Sequence, residues 1–305
     1  MGCLIAMENL IETKLFRQAK DRIKPFVERI KAADNVAIFA TADLDSIVSL
    51  AFLESAMIDA KIAYTRKILK SIQYQPKGER YDFSSKSQLV ISIEQFEDTW
   101  NHEEIDDFDR VRIVPLSVSV SHPNSDKQHN GALDVVIQCS AIASILAPNG
   151  PRVRRLRALS GCGQRLRQSL DNTYDPVYTK IRDILQDEGS IRILSLPEIN
   201  NPDTEMIPNF PSSLLKRLSR KWPKMNFEQR KQAMSELALP TLVDDKISTP
   251  RLEELLWFRI LINEDESDLH SQIYQAKSVW PVEQDASKSH ASSILKRLIS
   301  TGKLV

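Results

Sequence analysis

Two aspartates separated by a single residue occupy the part of the sequence best suited to chemistry. Asp43 and Asp45 follow Val36–Ala40, a short apolar run typical of a buried strand in a parallel sheet. From Ile47 onward the apolar residues recur at helical spacing, so the pair lies in a strand-to-helix turn. In an open α/β sheet such turns lie at the carboxyl edge, where ligands bind.

This turn allows two interpretations. Paired carboxylates repel each other unless a cation neutralises them, and Mg²⁺ or Mn²⁺ is the usual partner of such oxygen ligands. Alternatively, Asp45 or Ser46 caps a helix that begins at Ile47, and Asp43 is a solvated turn residue. Taken alone, the aspartate pair favours the capping interpretation, because such pairs are common.

The stretch from residue 36 to residue 60 resembles the first motif of the DHH phosphoesterase superfamily, in its RecJ-like branch, and residues 61–66 resemble the second strand of that family. There a strand ends in His-x-Asp-x-Asp-Gly-x-x-Ser and continues into a helix. The two acids and the helix serine are matched, whereas the histidine and the glycine are replaced. The matching residues are Asp43, Asp45 and Ser49, and the replacements are Thr41 and Ser46.

The resemblance extends over roughly the first half of the chain. It implies an α/β fold, with an N-terminal parallel-sheet DHH-like domain and a second, smaller α+β domain. In the active superfamily members three later motifs supply further metal ligands. Here the candidates after the third strand are Ser92 and Glu94, only His122 remains near the Asp-His-His triplet, and Gln164 stands in place of the last acid.

The incomplete ligand set predicts a scaffold that has the fold but not the chemistry. Two-metal phosphodiester hydrolysis needs several convergent carboxylates and histidines. We therefore expect no catalytic residue, no metal and no cofactor, and we interpret Asp43, Asp45 and Ser49 as a vestigial motif.

The pattern resembles the degenerate RecJ-like branch that includes the replication factor cell-division-cycle forty-five and its archaeal counterparts. This resemblance implies a non-catalytic subunit of the replicative helicase assembly, with the GINS complex and the MCM helicase as partners. Such a subunit would support DNA replication and could contact single-stranded DNA. The alternative is a metal-dependent single-strand exonuclease or phosphodiesterase that uses Asp43 and Asp45, with Glu94 and His122 as substituted ligands.

A basic stretch is the candidate surface for DNA or for a partner. Between residues 151 and 170 there are six arginines and no acids, namely Arg152, Arg154, Arg155, Arg157, Arg165 and Arg167. Arginines of this kind contact phosphates, or they pair with acids of the same chain or of a partner. Single-strand grooves usually add aromatic residues, and none lies between Arg152 and Arg167, which weakens DNA binding as the sole function.

Composition narrows the class of protein. The 305 residues carry 41 basic and 41 acidic side chains, which argues against a chain whose main task is to grip duplex DNA. The three cysteines are too widely spaced for a disulfide framework, so we expect a reducing compartment. No apolar run approaches the ~20 residues that span a bilayer. A cytoplasmic, nucleoid-associated protein is the resulting expectation.

A proline-rich stretch predicts the domain boundary. Four prolines fall within residues 197–211. The sequence therefore predicts a DHH-like domain over 1–196, a linker over 197–211 and a smaller C-terminal domain over 212–305. Within the last part, the apolar run Leu252–Ile262 predicts a core helix.

Overall fold

The structure is a computed structural model that describes residues 9–71, 81–95, 109–121, 128–163, 176–243, 246–262 and 267–305. The helices in these ranges are α1 (Lys20–Ala32), α2 (Leu44–Ala60), α3 (Val135–Leu146), α4 (Pro151–Leu156), α5 (Pro176–Asp187), α6 (Ser212–Lys221), α7 (Phe227–Leu242), α8 (Thr249–Trp257), α9 (Leu269–Ser278) and α10 (Gln284–Thr301). The strands are β1 (Val36–Thr41), β2 (Tyr64–Leu69), β3 (Leu89–Ile93), β4 (Arg110–Ile113), β5 (Leu116–Ser121), β6 (Gln128–Leu133), β7 (Arg192–Leu194) and β8 (Arg259–Leu261).

Strands β1 to β4 form a parallel sheet in the order β2-β1-β3-β4. In its centre Ile38 of β1 lies between Arg66 of β2 and Ile91 of β3. Every residue of β1 is buried, as expected for a central parallel strand that is covered on both faces. The predicted α/β class is confirmed, and so is its parallel sheet.

Helix α2 follows β1 and is buried on all sides, because it packs against β1, α3, α4 and α10. It begins at Leu44, three residues before the predicted start at Ile47. Glu54 of this helix is 1% exposed and forms an ion pair with Arg66 at 2.7 Å. Because neighbouring elements cover this helix on all sides, its sequence is rich in small and apolar residues and has no polar face.

Two further pairs of strands lie outside the parallel sheet. β5 and β6 form an antiparallel hairpin that leads into α3, whose N-cap is Asp134. β7 and β8 pair antiparallel, with Leu194 opposite Arg259. The prediction of one core helix over Leu252–Ile262 is therefore wrong: α8 ends at Trp257 and β8 follows it.

The two main hydrophobic cores divide the chain differently from the predicted domains. The first core contains the parallel sheet, α2 and α3, and it also includes apolar residues of β8, α9 and α10. The second core lies between residues 196 and 257. Ile207, within the predicted linker, is 3% exposed and belongs to this second core. Residues 196–257 thus form an insertion between two strands that pair with each other.

Within the ranges given above, no helix is both long and apolar enough to cross a lipid bilayer.

Candidate functional site

The strand-to-helix turn brings both aspartates to the carboxyl edge of the sheet. Asp43 is the N-cap residue of α2 and is only 9% exposed. Asp45 lies in the first helical turn, where its carboxylate accepts a hydrogen bond from the backbone N–H of Ser46 at 3.0 Å. The alternative prediction of a solvated Asp43 and a helix capped by Asp45 or Ser46 is therefore wrong.

Gln95, which follows β3, connects the polar groups of this turn. Its amide Nε2 lies 3.4 Å from Oδ2 of Asp43, 3.3 Å from Oδ1 of Asp45 and 3.1 Å from Oγ1 of Thr41. Its carbonyl Oε1 accepts a hydrogen bond from the hydroxyl of Ser46 at 2.5 Å. Because β1 and β3 are neighbouring parallel strands, their carboxyl ends present these side chains to one point.

The orientation of the Gln95 amide decides what this point can bind. An amide nitrogen donates hydrogen bonds and offers no lone pair to a cation, whereas an amide oxygen is a metal ligand. Here the nitrogen faces Asp43 and Asp45, and the oxygen is held by Ser46. A cation between the carboxylates would require the amide to turn over, so that Ser46 accepts a hydrogen bond from the amide in place of donating one.

The carboxyl end of β2 adds another donor to Asp43. The hydroxyl of Ser71 donates to Oδ1 of Asp43. Tyr81 stands nearby, and its hydroxyl donates to the carbonyl of Lys70 at 2.8 Å. Burial raises the pKa of Tyr81, and the negative charge of Asp43 raises that pKa further. The aspartate thus lies among groups that donate hydrogen bonds, in a partly enclosed position.

The C-terminal part of the chain closes over the same turn. Nε1 of Trp280 donates to the carbonyl of Ala42 at 3.1 Å, and the hydroxyl of Ser287, on α10, donates to that carbonyl at 3.3 Å. The ring of Trp280 also meets the ring of His290 edge to face, with 5.1 Å between centroids. These contacts fix the backbone next to Asp43.

Glu94, the substituted ligand considered from the sequence, has a structural role instead. Its carboxylate forms ion pairs with Arg110 at 2.6 Å and with Arg112 at 2.7 Å, and it accepts from Ser92 at 2.6 Å. Burial alone would raise the pKa of Glu94, but these hydrogen bonds and the two guanidinium charges outweigh burial and lower it. The carboxylate is already neutralised by two cations, which argues against a role as a metal ligand.

Ser49, the third member of the predicted vestigial motif, lies one helical turn beyond Asp45. Its hydroxyl donates to the backbone carbonyl of Asp45 at 2.8 Å. It also hydrogen-bonds with Cys139 of α3, a thiol whose pKa is raised by burial. Ser49 therefore contributes to the packing of α2 on α3, whereas Asp43 and Asp45 are brought together by Gln95.

The four arginines of the basic stretch that the structure describes have partners within the protein. Arg152 forms an ion pair with Asp59 at 2.8 Å, and Arg154 donates to the side chain of Asn149 at 3.0 Å. Arg155 donates to backbone carbonyls near the end of α10, those of Ile299 and Ser300.

Arg157 contradicts the idea of one exposed basic face. It is 2% exposed and forms a two-pronged ion pair with Glu188, at 2.6 Å and 2.7 Å. A buried arginine of this kind joins the end of α4 to the end of α5 and is inaccessible to a phosphate.

Several predicted residues lie outside the described ranges. They are Arg165 and Arg167 of the basic stretch, together with His122 and Gln164. Among the residues that the structure does describe, no three histidine, cysteine, aspartate or glutamate side chains are grouped so that they could hold a metal ion.

Two important side chains of the site were missed from the sequence. Gln95 and Ser71 each stand within two residues of the end of a parallel strand. Both residues could have been predicted as site residues from their positions just after strands, because the carboxyl ends of neighbouring parallel strands lie at the same edge of a sheet. The superfamily pattern instead directed attention to Ser92 and Glu94, whose side chains turn to the arginines of β4.

Comparison of the sequence with models of protein families and with curated proteins finds no match.

Proposed function

We propose that this chain is a non-catalytic, DHH-like scaffold of the RecJ-like type that acts in the replicative helicase assembly. Its partners are the GINS complex and the MCM helicase, and its place is cytoplasmic, at the nucleoid. The replication role rests on the sequence resemblance, whereas the non-catalytic character rests on the geometry of the sheet edge.

The observation that carries the non-catalytic assignment is the amide of Gln95 between Asp43 and Asp45. A hydrolase of this type would place a divalent cation against such carboxylates. Here a neutral donor stands between them. Glu94, the nearest substitute, is committed to Arg110 and Arg112.

A binding and stimulation assay tests the proposal. The full chain, with its own GINS complex and MCM helicase, would be compared with the paired variant Asp43→Asn/Asp45→Asn. Asparagine keeps the size and one acceptor oxygen, which can still accept from Gln95, while its amide nitrogen would donate to Ser71 where the carboxylate accepted. We expect association and helicase stimulation to be equal for the two proteins.

The assay has two contradicting outcomes. Failure of the wild-type chain to associate with either partner would overturn the helicase role. Loss of stimulation in the paired variant alone would show that the carboxylates act in the function, as expected for the alternative, a metal-dependent single-strand exonuclease or phosphodiesterase.

A second variant of the full chain tests contact with single-stranded DNA. Arg157 is buried, so any DNA contact of the basic stretch must come from its other arginines. Replacing Arg152, Arg154 and Arg155 by glutamine is expected to leave oligonucleotide binding unchanged, because each already has a partner within the chain. A clear loss of binding would return this stretch to the DNA-binding surface.

A further inference from the structure

An unbalanced row of basic side chains runs along α6 and the 3₁₀ turn that follows it. Five exposed cations share this segment, namely Lys216, Arg217, Arg220, Lys221 and Lys224. None of the five forms an ion pair with any residue in the described part of the chain. Residues 206–235 hold seven basic residues and one acidic residue, in a chain whose overall charge is zero.

The helix itself gains little from this arrangement. Lys216 and Arg220 are four residues apart, as are Arg217 and Lys221, and like charges at this spacing destabilise a helix. The helix dipole favours cations in the last turn, which accounts for Arg220 and Lys221 but not for the earlier pair. In α1, by contrast, basic and acidic residues are mixed. The row therefore calls for an external partner of opposite charge.

Two open clefts flank α6 and share Arg220. One, of about 1090 Å³, is lined by Lys216 and by residues of the loop before α6; the other, of about 510 Å³, lies between α6 and α7 and is lined by Lys221 and Lys224.

Side-chain amides complete the lining of the clefts. They belong to Asn200, Asn201, Gln229 and Gln232. Amides both donate and accept, so they can bind the backbone of an extended peptide. The acids in the lining are Glu198 and Glu236, and Glu198 already accepts hydrogen bonds from Ser195.

The spacing of the cations fits an extended acidic chain. Lys216 and Arg220 are separated by about 6 Å along the helix axis, at ~1.5 Å per residue. The step from Arg220 to Lys224 crosses into the 3₁₀ turn and is about 6–8 Å. Alternate side chains of an extended peptide point to the same side about 6.6 Å apart. Acidic residues at every second position would therefore meet this row one to one.

We propose that α6 and its two clefts bind an extended segment of a partner protein that carries acidic residues at alternate positions. A single-stranded nucleic acid fits less well, because such ligands usually need exposed aromatic side chains for stacking. Trp222 is the one aromatic residue lining these two clefts, and it is 2% exposed; Phe227 at the start of α7 is exposed but lines neither cleft and lies against Lys231. The proposal goes beyond the helicase role and does not depend on it.

A peptide-binding measurement on the full chain tests the proposal. The probe is a fluorescent peptide of alternating glutamate and serine. A peptide of the same composition with all glutamates adjacent tests the register, and a labelled oligothymidylate tests the nucleic-acid alternative. The row variant, Lys216→Gln/Arg220→Gln/Lys224→Gln, removes the three cations of the row that are spaced four residues apart. The matched control Lys14→Gln/Lys31→Gln/Lys296→Gln removes three exposed cations from other helical segments.

We expect the alternating peptide to bind most tightly, with an affinity that weakens as salt increases. The row variant should weaken it about tenfold or more, and the control variant less than about twofold. The proposal is overturned by absence of binding at low salt, by equal losses in both variants, or by equal affinity for the two peptides. Tighter binding of oligothymidylate, lost in the row variant, would assign the surface to nucleic acid instead.

Discussion

At the scale of single residues, the sheet edge is governed by which atom of Gln95 faces the aspartates. A nitrogen there bridges two carboxylates as a hydrogen-bond donor, and the amide oxygen accepts from the hydroxyl of Ser46. One substitution can change the chemistry of this point, because a glutamate has the same length and two acceptor oxygens.

Gln95→Glu is expected to create a binding site for a divalent cation. Three clustered carboxylates repel each other, so the variant should be less stable than the wild type by about 1–3 kcal/mol at neutral pH. Mn²⁺ should raise the melting temperature of the variant and leave that of the wild type unchanged, as measured by differential scanning fluorimetry. Adding Asp43→Asn to the variant should weaken the response; an equal response of the wild type would contradict this account of the edge.

The buried pair of Arg157 and Glu188 gives a second prediction at this scale. Arg157→Gln leaves the Glu188 carboxylate buried without its guanidinium, which should lower the free energy of unfolding by about 3–5 kcal/mol. Arg154→Gln is the matched control, because Arg154 is half-exposed and its partner Asn149 is neutral; its effect should stay within ~0.5 kcal/mol. Urea unfolding measures both values, and a similar small effect for the two would refute the structural role of Arg157.

Among the helices and strands, local sequence patterns predicted the parallel sheet but did not predict the pairing of strands that are distant in the sequence. Val36–Ala40 is apolar without alternation, and this marks a buried strand. The hairpin strand β5 also has a recognisable sequence pattern, since Leu116, Val118 and Val120 alternate with serines. It was not predicted, because this segment was compared with the Asp-His-His motif of the superfamily. The pairing of β7 with β8 joins residues more than sixty positions apart, and no local pattern encodes it.

An ion pair between the start of α9 and β8 makes a pH-dependent contribution to the stability of the fold. Asp268 caps α9 and forms an ion pair with Arg259 at 2.9 Å, with both side chains fully buried. Burial alone would raise the pKa of Asp268, but hydrogen bonding to His270 and the charge of Arg259 outweigh burial and hold it well below its ordinary value. The ionised carboxylate therefore stabilises the fold above the unfolded-state pKa of ~3.9, and this contribution is lost as pH falls below that value.

The corresponding prediction compares the wild type with Asp268→Asn. At neutral pH the variant should be less stable by about 3–5 kcal/mol, because Arg259 keeps a buried charge without its counter-ion. Below pH ~4 the wild type should lose about 1 kcal/mol per pH unit more than the variant, so the two curves approach each other. Urea unfolding across the acidic range provides the test, and parallel curves would argue against an ionised Asp268.

At the scale of the whole molecule, the second core is an insertion and not a C-terminal domain. The chain leaves the first core at Leu194 and returns at Arg259, which is its partner across the β7–β8 pair. Helix α10 then packs on α2, and Trp280 reaches the turn that holds Asp43. A break at residue 196 would therefore remove part of the first core.

Excision and truncation are expected to behave differently. Replacing residues 195–258 by Asn-Gly should give a folded protein, because this dipeptide forms the two-residue turn that closes an antiparallel pair. Truncation after Ser195 should leave an unfolded or aggregating product, because the apolar side chains of α2 lose Ile294, Leu295 and Leu298 of α10. Circular dichroism and thermal unfolding distinguish the two products. A stable truncated product would restore the predicted boundary.

The candidate site could be predicted from the sequence only in part, for a physical reason. Asp43 and Asp45 can be predicted as site residues, because an apolar strand, an acidic turn and a helix follow one another in the sequence. The partners that determine their chemistry come from other strands, and their identity depends on strand order and register. The arginines illustrate the same limit, since the ion-pair partner of Arg157 is Glu188, which lies 31 residues away just after the end of α5.

A nuclease assay with labelled single-stranded DNA and RNA, in Mn²⁺ and separately in EDTA, tests whether the sheet edge is catalytically inactive. The proteins are the wild type and Asp43→Asn/Asp45→Asn. The claim that the Gln95 amide closes the sheet edge to a catalytic metal predicts no cleavage by either protein in either condition. Cleavage by the wild type in Mn²⁺ that is absent in EDTA and in the paired variant would contradict it and establish the enzyme.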